Sequence, residues 1–586
     1  MASRYWVGGG ATANWNATGN TNWSATDGGA NNASVPAAGD DVFLKSAADC
    51  TANVTTADLK SFDMTGYTGT LSSTGNIRVR GLTATTNVIV FDGTITWTGT
   101  LTLIPTTSTA NINLTTNGKL LGSINFAGNA SATTTLQDNL TFRAATVTMS
   151  VGHLIDFNGF TVSGDSTINR ILFASTLLGS QVGLITLNGG TFAYADFRDI
   201  ALSASADLSA ITGLSGDGGG NTNITFTTAQ DNYWVGDTGS WSDVNEWANS
   251  SGGTGGTGRI PLLQDTALFD DGSFSTTGRV VTQDMARLPN VDWSGYTEGQ
   301  TPTWSTNTNA QGIYGSLTLI SGMTFTTGTT GTWSFIGRRG THTITSAGKA
   351  FATTIGISLG TGSYTQLDAF VHGASGTLTH NTGTWDMNDF NLQSNQFDES
   401  SASTRTLNMG SGSLTQSQNS MSFASAGLTL NEETSTLSLS SGSGTFAFGG
   451  ASLQFYNIII NTGTGQFTMT GSNTFNTMTW RHPTTTKTIR FTGGTTQTVN
   501  SLVDDSNNSN EPTIKSVTDG VAWLISQATG TVVFDNISLQ DSTATGGATF
   551  YAGANSTDVS GNSGWIFTDE PSGALAGTRC LMGVGT

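Results

Sequence analysis

The stretch Val88-Ile89-Val90-Phe91-Asp92-Gly93-Thr94-Ile95-Thr96-Trp97-Thr98-Gly99-Thr100-Leu101-Thr102-Leu103 holds three short alternating runs broken by Gly-bearing turns. Alternation places the apolar side chains of each run on one face, the signature of a half-buried strand. Runs of three to five residues are short for the hairpins of a sandwich. They fit the rungs of a parallel β-helix, which repeat about every 20 to 25 residues. The same style continues through Ile124-Asn125-Phe126, Val147-Thr148-Met149, Leu317-Thr318-Leu319, Leu437-Ser438-Leu439, Phe467-Thr468-Met469 and Ile489-Arg490-Phe491.

Composition around these runs agrees. Of 586 residues 76 are Gly, only 10 % are charged and 36 % are hydrophobic. Lys, Arg and Glu are too scarce to build amphipathic helices, whereas Thr, Val, Ile and Phe are strand material. On a rung the β-branched Thr suits the sheet while its hydroxyl faces water, and Gly supplies the corners.

The chain is also written twice. Tyr5-Trp6-Val7-Gly8 recurs as Tyr233-Trp234-Val235-Gly236, followed in order by Trp15 with Trp241, Trp23 with Trp247, Pro36 with Pro261 and Asp40 with Asp265. Asp63-Met64-Thr65-Gly66-Tyr67-Thr68 matches Asp292-Trp293-Ser294-Gly295-Tyr296-Thr297. The ends correspond too, with Phe197, Ile200 and Leu202 read against Phe534, Ile537 and Leu539, and Ser215-Gly216-Asp217 … Asn221 against Ser556-Thr557-Asp558 … Asn562. Openings lie about 225 residues apart and closings about 340, so the second unit carries roughly 110 more residues, a length a solenoid absorbs by stacking extra rungs. At ~4.8 Å per rung that adds about five rungs, or roughly 25 Å.

These readings predict an all-β protein of two tandem parallel β-helix (β-solenoid) units, each with a Trp-rich N-terminal cap. The divisions are an opening cap module at 1–68, a first solenoid unit at 69–230, a second cap module at 231–297, a longer solenoid unit at 298–570 and a tail at 571–586. A solenoid end is an open sheet edge that needs cover. Trp6, Trp15 and Trp23, with Trp234, Trp241 and Trp247, are read as aromatic plugs for the first rung of each unit. Their alternative role is a stacking platform for glycans.

Net charge is −19, which repels phosphate backbones and anionic lipid, so neither nucleic-acid binding nor membrane-surface binding is expected. The longest basic run is Arg338-Arg339, read as a solvated loop. No apolar run approaches the ~18 residues of a membrane span, and Met1-Ala2-Ser3-Arg4-Tyr5-Trp6 lacks a signal-peptide core. Cys50 and Cys580 form no disulfide framework or metal motif, and His153, His342, His372, His380 and His482 have no Cys or Glu at ligand spacing, so no cofactor is expected.

A polysaccharide-cutting site needs two carboxylates some 5 to 9.5 Å apart. The densest candidate group is Asp386, Asp389, Asp398 and Glu399, with His372, His380 and Trp385 close in sequence. Asp217 with Asn221 and Asp558 with Asn562 lie in Gly-rich turns that offer oxygens to Ca²⁺ or close as Asx turns, as do Asp40-Asp41 and Asp270-Asp271.

The opening Tyr5-Trp6-Val7-Gly8 … Trp15 … Trp23 … Pro36 … Gly39-Asp40 and the closing Ala544-Thr545-Gly546-Gly547-Ala548-Thr549-Phe550-Tyr551-Ala552-Gly553-Ala554-Asn555-Ser556-Thr557-Asp558 resemble Thr/Gly-rich β-solenoid structural proteins of tailed bacteriophages. Such proteins are tail fibres, tailspikes or capsid-surface fibres, and similar segments occur in large bacterial surface proteins. The resemblance implies a virion protein assembled in the host cytoplasm, partnered by other virion proteins, homo-oligomeric as a trimer, and in contact with host surface polysaccharide. No catalytic residue carries over from it. The competing readings are a tailspike-like polysaccharide depolymerase, hydrolase or lyase, working through the four carboxylates, and a bacterial adhesin, which needs an export signal or anchor. The apolar tail from Ala574 to Thr586 is read either as a strand docking into a partner subunit or as a frayed end.

Overall fold

The computed structural model describes residues 2–571 except 18–20, 81–86, 105–110, 128–131, 143–147, 152, 176–177, 298, 307–310, 328–330, 338–339, 374–375, 417–419, 441–445, 451, 462–465, 482–487 and 506–510. Val147, Arg338-Arg339, His482, Cys580 and the tail beyond Pro571 therefore lie outside the described residues. Among those described there is no α-helix, only a single 3₁₀ turn at Val244–Glu246. The chain is a parallel β-solenoid of about 20 turns.

Stacking follows the alternation of the sequence. Ile77, Leu101, Ile124 and Met149 stand in one column on successive turns, and Phe173 and Phe197 stand opposite one another in the same sheet. Strand after strand reads partly exposed, buried, partly exposed, buried, as in Thr133–Leu136 and Thr436–Leu439. Inward positions carry Ile, Leu, Val and Phe, while outward positions form ladders of hydroxyls, such as Thr100 Oγ1 to Ser123 Oγ at 2.6 Å. Corners recur as Asn117-Gly118, Asn158-Gly159 and Asn188-Gly189, both residues left-handed in each pair. Two successive positive φ angles make a type I′ turn, which is why Asn and Gly are used.

Strands between Ser3 and Thr225 pair among themselves, chiefly in an 11-stranded and an 8-stranded sheet. Strands between Asp231 and Ile566 likewise pair among themselves, in sheets of up to 21 strands. The apolar interior divides the same way, with one cluster from Trp6 to Leu208 and another from Trp234 to Trp565. Aromatic stacking fills the longer core, as in Phe269 on Trp293 at 3.9 Å and Phe491 on Trp523 at 4.0 Å.

Each set opens on the same device. Trp6 pairs antiparallel with Trp23, and Trp234 with Trp247; every other strand pairing among the described residues is parallel. The indole of Trp23 meets Trp6 and Trp15 edge-on at 5.1 and 4.7 Å; that of Trp247 meets Trp234 and Trp241 at 5.2 and 4.9 Å. The carboxylates of Asp40 and Asp265 tie each module together. Asp40 accepts from the Ala2 and Ala37 amides, and Asp265 from those of Gln230 and Leu262.

Two details depart from the sequence reading. The equivalent of Phe197 is Leu539, not Phe534: Phe197 pairs with Asp217 exactly one turn on, as Leu539 does with Asp558. Residue type favours Phe534, whereas ladder position assigns Leu539. The second difference concerns the two sets of turns, which follow one another in sequence but do not continue end to end. Gln264 touches Ser215 and Asp217, Arg287 pairs with Asp196, Tyr314 packs with Leu172 and Ala174, and Gly360 meets Gly179. Over the first three contacts later turns of the second set meet earlier turns of the first, and Gly360 then returns to the turn that holds Leu172 and Ala174, so the second solenoid starts beside the end of the first, not on top of it. At the last of these contacts a Cβ on Gly179 would lie 2.8 Å from the Gly360 Cα, an approach that only glycine permits.

Candidate functional site

The four carboxylates singled out in sequence are placed by the alternation of their strands. On Leu378–Asp386 the Asp386 side chain points outward, stands between Thr365 and Asn408 of adjacent turns, and accepts from the Asn388 amide at 2.9 Å. Asp389, in the left-handed turn that follows, accepts from the Ser411 amide at 2.7 Å. Asp398 stands beside Thr379 and Ser422, in a different column from Asp386, and accepts from the Ser400 amide and the Ser422 hydroxyl, each at 2.9 Å. Glu399, one residue on, faces the opposite way, into the core.

Glu399 is fully buried with His380 and Arg405. Its Oε1 lies 2.7 Å from His380 Nδ1, and its Oε2 accepts from Arg405 Nε at 2.7 Å. The rest of the guanidinium is spent on backbone carbonyls, including Ser403 at 3.2 Å, Ala424 at 3.0 Å and Ala426 at 3.1 Å. His372 is likewise buried, between the Ser394 hydroxyl and the Thr353 carbonyl, each at 2.9 Å. A hydrolytic pair needs two carboxylates facing one space with room for water or sugar. Here three lie outward, each bonded to a local turn or neighbouring rung, and the fourth is sealed in an ion pair. Arg405 was absent from the sequence reading. Its signal was parity, since Glu399 shares its face with Phe397, and an inward carboxylate requires a buried cation.

At the turns proposed for Ca²⁺ the Asn amide nitrogen, not its oxygen, faces the carboxylate. Asn221 Nδ2 donates to Asp217 Oδ1 at 2.8 Å, and Asn562 Nδ2 to Asp558 Oδ1 at 2.7 Å. Each amide oxygen accepts from a backbone N–H one turn back, Ile200 or Ser542. These are polar staples between turns, and no cluster of three or more metal-binding groups occurs among the described residues. Asp270 and Asp271 close turns in the same way, on the Gly272 and Thr297 amides.

All six tryptophans considered for glycan stacking are at most 1 % exposed, so none presents a ring face to a sugar. Burial also shifts two titratable groups in the interior of the first unit, Cys50 and His153. It pushes the Cys50 thiol up, which leaves it unreactive. It pulls His153 down to about 4, the ring being held neutral between the Thr134 hydroxyl and the Ala127 carbonyl.

A second buried polar constellation lies away from all of these residues, between the two solenoids. Asp196 accepts from Arg170 Nε at 2.8 Å and Arg287 Nε at 3.0 Å, with all three side chains at most 10 % exposed. Arg170 further donates to the carbonyls of Ala195, Gly213 and Leu214, and Arg287 to that of Arg170. The clamp holds Leu214 at φ +60°, a costly conformation for a bulky residue. Beside it, the Gln264 amide donates to the Ser215 and Thr227 carbonyls and accepts from the Asp217 N–H, so it satisfies Ser215–Asp217, the terminal strand of the 8-stranded sheet, as another strand would. A cleft of about 730 Å³ opens next to this joint, between Ile168 and Leu214 on one side and Val244 and Ile260 on the other. Sequence gives no warning of this joint, because Arg170 and Arg287 look like ordinary solvated cations until the two solenoids meet. No protein-family model, curated protein or solved structure matches the chain.

Proposed function

We propose that the protein is a non-enzymatic structural component of a tailed-phage particle, a fibre, spike or surface decoration that supplies reach and rigidity. One observation carries the reading: about 20 parallel turns, filled by aliphatic and aromatic columns, spend their carboxylates on turns and buried ion pairs instead of gathering them at a cleft. The resemblance of the opening and closing segments to phage solenoid proteins supports the setting. On this reading the outward Thr, Ser and Asn ladders touch host surface sugars weakly and repeatedly, and strength comes from many copies acting together. Other virion proteins are the partners, and the working form is a homo-oligomer, a trimer.

Mass spectrometry of purified particles, followed by imaging of particles that carry a label on this chain, tests the proposal. The chain is expected in fixed stoichiometry at a single structural position. Its absence from particles would overturn the reading. Incubation with host capsule or lipopolysaccharide separates it from a depolymerase: neither new reducing ends nor unsaturated sugars are expected, and their appearance, abolished by Asp398→Ala or Asp386→Ala, would establish the enzyme instead.

A further inference from the structure

The joint between the two solenoids is a meeting of two duplicated surfaces. One is the closing turn Ser215 to Asn221; the other is the loop Pro261 to Asp265 of the second opening module. Each has a second version elsewhere in the chain, at Ser556 to Asn562 and at Pro36 to Asp40. We propose that these two second versions also meet, between copies, so that the opening module of one chain seats on the closing turn of the next.

Exposure is the first support. At the internal joint Ser215, Gly216, Gly218, Leu262, Leu263 and Gln264 are buried, whereas Thr557, Asp558, Val559, Ala37 and Ala38 are exposed. The surfaces are nonetheless built alike, with the same Asn-to-Asp staple in both closing turns and the same Asp clamp in both loops. Size is the second. Leu263 lies over Gly218, where a Cβ would be 3.3 Å from Leu263 Cδ1. In the free pair the sizes are exchanged, with Val559 at the Gly218 position and Ala38 at the Leu263 position, so large again faces small.

Strand chemistry is the third. Thr557 to Ser560 is the terminal strand of its sheet. Because the Thr557 N–H bonds to Ile537, alternation turns the Asp558 N–H outward, as the Asp217 N–H is turned toward Gln264. An edge of this kind invites pairing. The same end carries an apolar ladder in which exposed Val533 and Ile566 flank the half-buried Tyr551, on a surface otherwise rich in hydroxyls.

Such a contact is heterologous, so it propagates as an open chain of copies or, where the rotation between neighbours closes, as a ring. It is weaker than the internal joint, since Gly39 replaces Gln264 and Ser538 replaces Asp196, which removes the amide bridge and the ionic latch. The proposal goes beyond the fibre reading and does not require it.

The test uses full-length chains with Cys580→Ser as background. Tagged Ala38→Cys and untagged Val559→Cys chains are mixed and mildly oxidised at about 0.15 M salt, where charge repulsion is screened beyond about 8 Å. A mixed disulfide dimer is expected, and a ladder of multimers from the double variant. Without oxidation, Val559→Arg should lower the weight-average mass in sedimentation equilibrium toward the monomer. Two results overturn the proposal: folded chains that give no mixed dimer, or Val559→Cys chains that pair with themselves as readily as with Ala38→Cys chains, which would mean a tail-to-tail contact.

Discussion

The opening modules at residues 2–68 and 231–297 share their interiors and differ outside. In both, two tryptophans pair antiparallel, a third meets one of them edge-on, and one buried Asp receives two backbone amides. Outside, the first presents Ala37 and Ala38 to water, while the second buries Leu262, Leu263 and Gln264 against the preceding solenoid. The two modules therefore share what fills their interiors and differ in what faces outward, where only the second lies against a neighbouring solenoid. The interior is constrained because close packing tolerates few changes of volume, whereas an exposed loop is not.

The sharpest way to break that comparison is to remove the same plug from each module. Trp23→Ala and Trp247→Ala should each cost about 3–5 kcal/mol, the usual penalty for emptying a buried aromatic site. Calorimetry of the two variants should give similar losses. A much smaller loss for Trp23→Ala would mean that the first module is not the cap that its contacts describe.

The next effect separates the two solenoids by pH. His153 lies in the first and is held at about 4 against an ordinary value of 6.5. Because the folded value is depressed, its neutral form is fully compatible with the fold above pH 6.5. Stability is lost as pH falls from 6.5 toward 4, by about 3 kcal/mol. Unfolding of a His153→Gln variant followed across this window should show a flatter pH dependence than the parent; an unchanged slope would refute the assignment.

Smallest is the joint itself. Gln264→Ala leaves the Ser215 and Thr227 carbonyls and the Asp217 N–H without their partner, a cost of about 1–3 kcal/mol. The effect should appear as faster hydrogen exchange at Ser215 to Asp217, with exchange at Thr557 to Ser560 unaltered. Equal change at both closing turns would mean that the two are not distinguished by cover.

Much of this was legible in the primary structure. The runs around Val88 to Leu103 announced parallel rungs through their length and alternation, and the repeated Trp spacing pointed to matching aromatic clusters, which are buried. Parity also contained the fate of Glu399, which shares a face with Phe397, although its partner Arg405 could not be named. The candidate carboxylates failed for a related reason: closeness in sequence puts residues on different columns of a solenoid, and only the stack says which columns are neighbours. Phe197 shows the converse error, where residue type suggested Phe534 and ladder position assigned Leu539.

What the sequence alone determined is the rung, because alternation, corner residues and β-branched side chains act within a few residues of one another. What only the tertiary structure decided is how the two solenoids lie together. Asp196 is joined there to Arg170 and Arg287. A charge can be buried at that point only because two cations arrive from different turns, one of them from the other solenoid. No local pattern encodes that encounter.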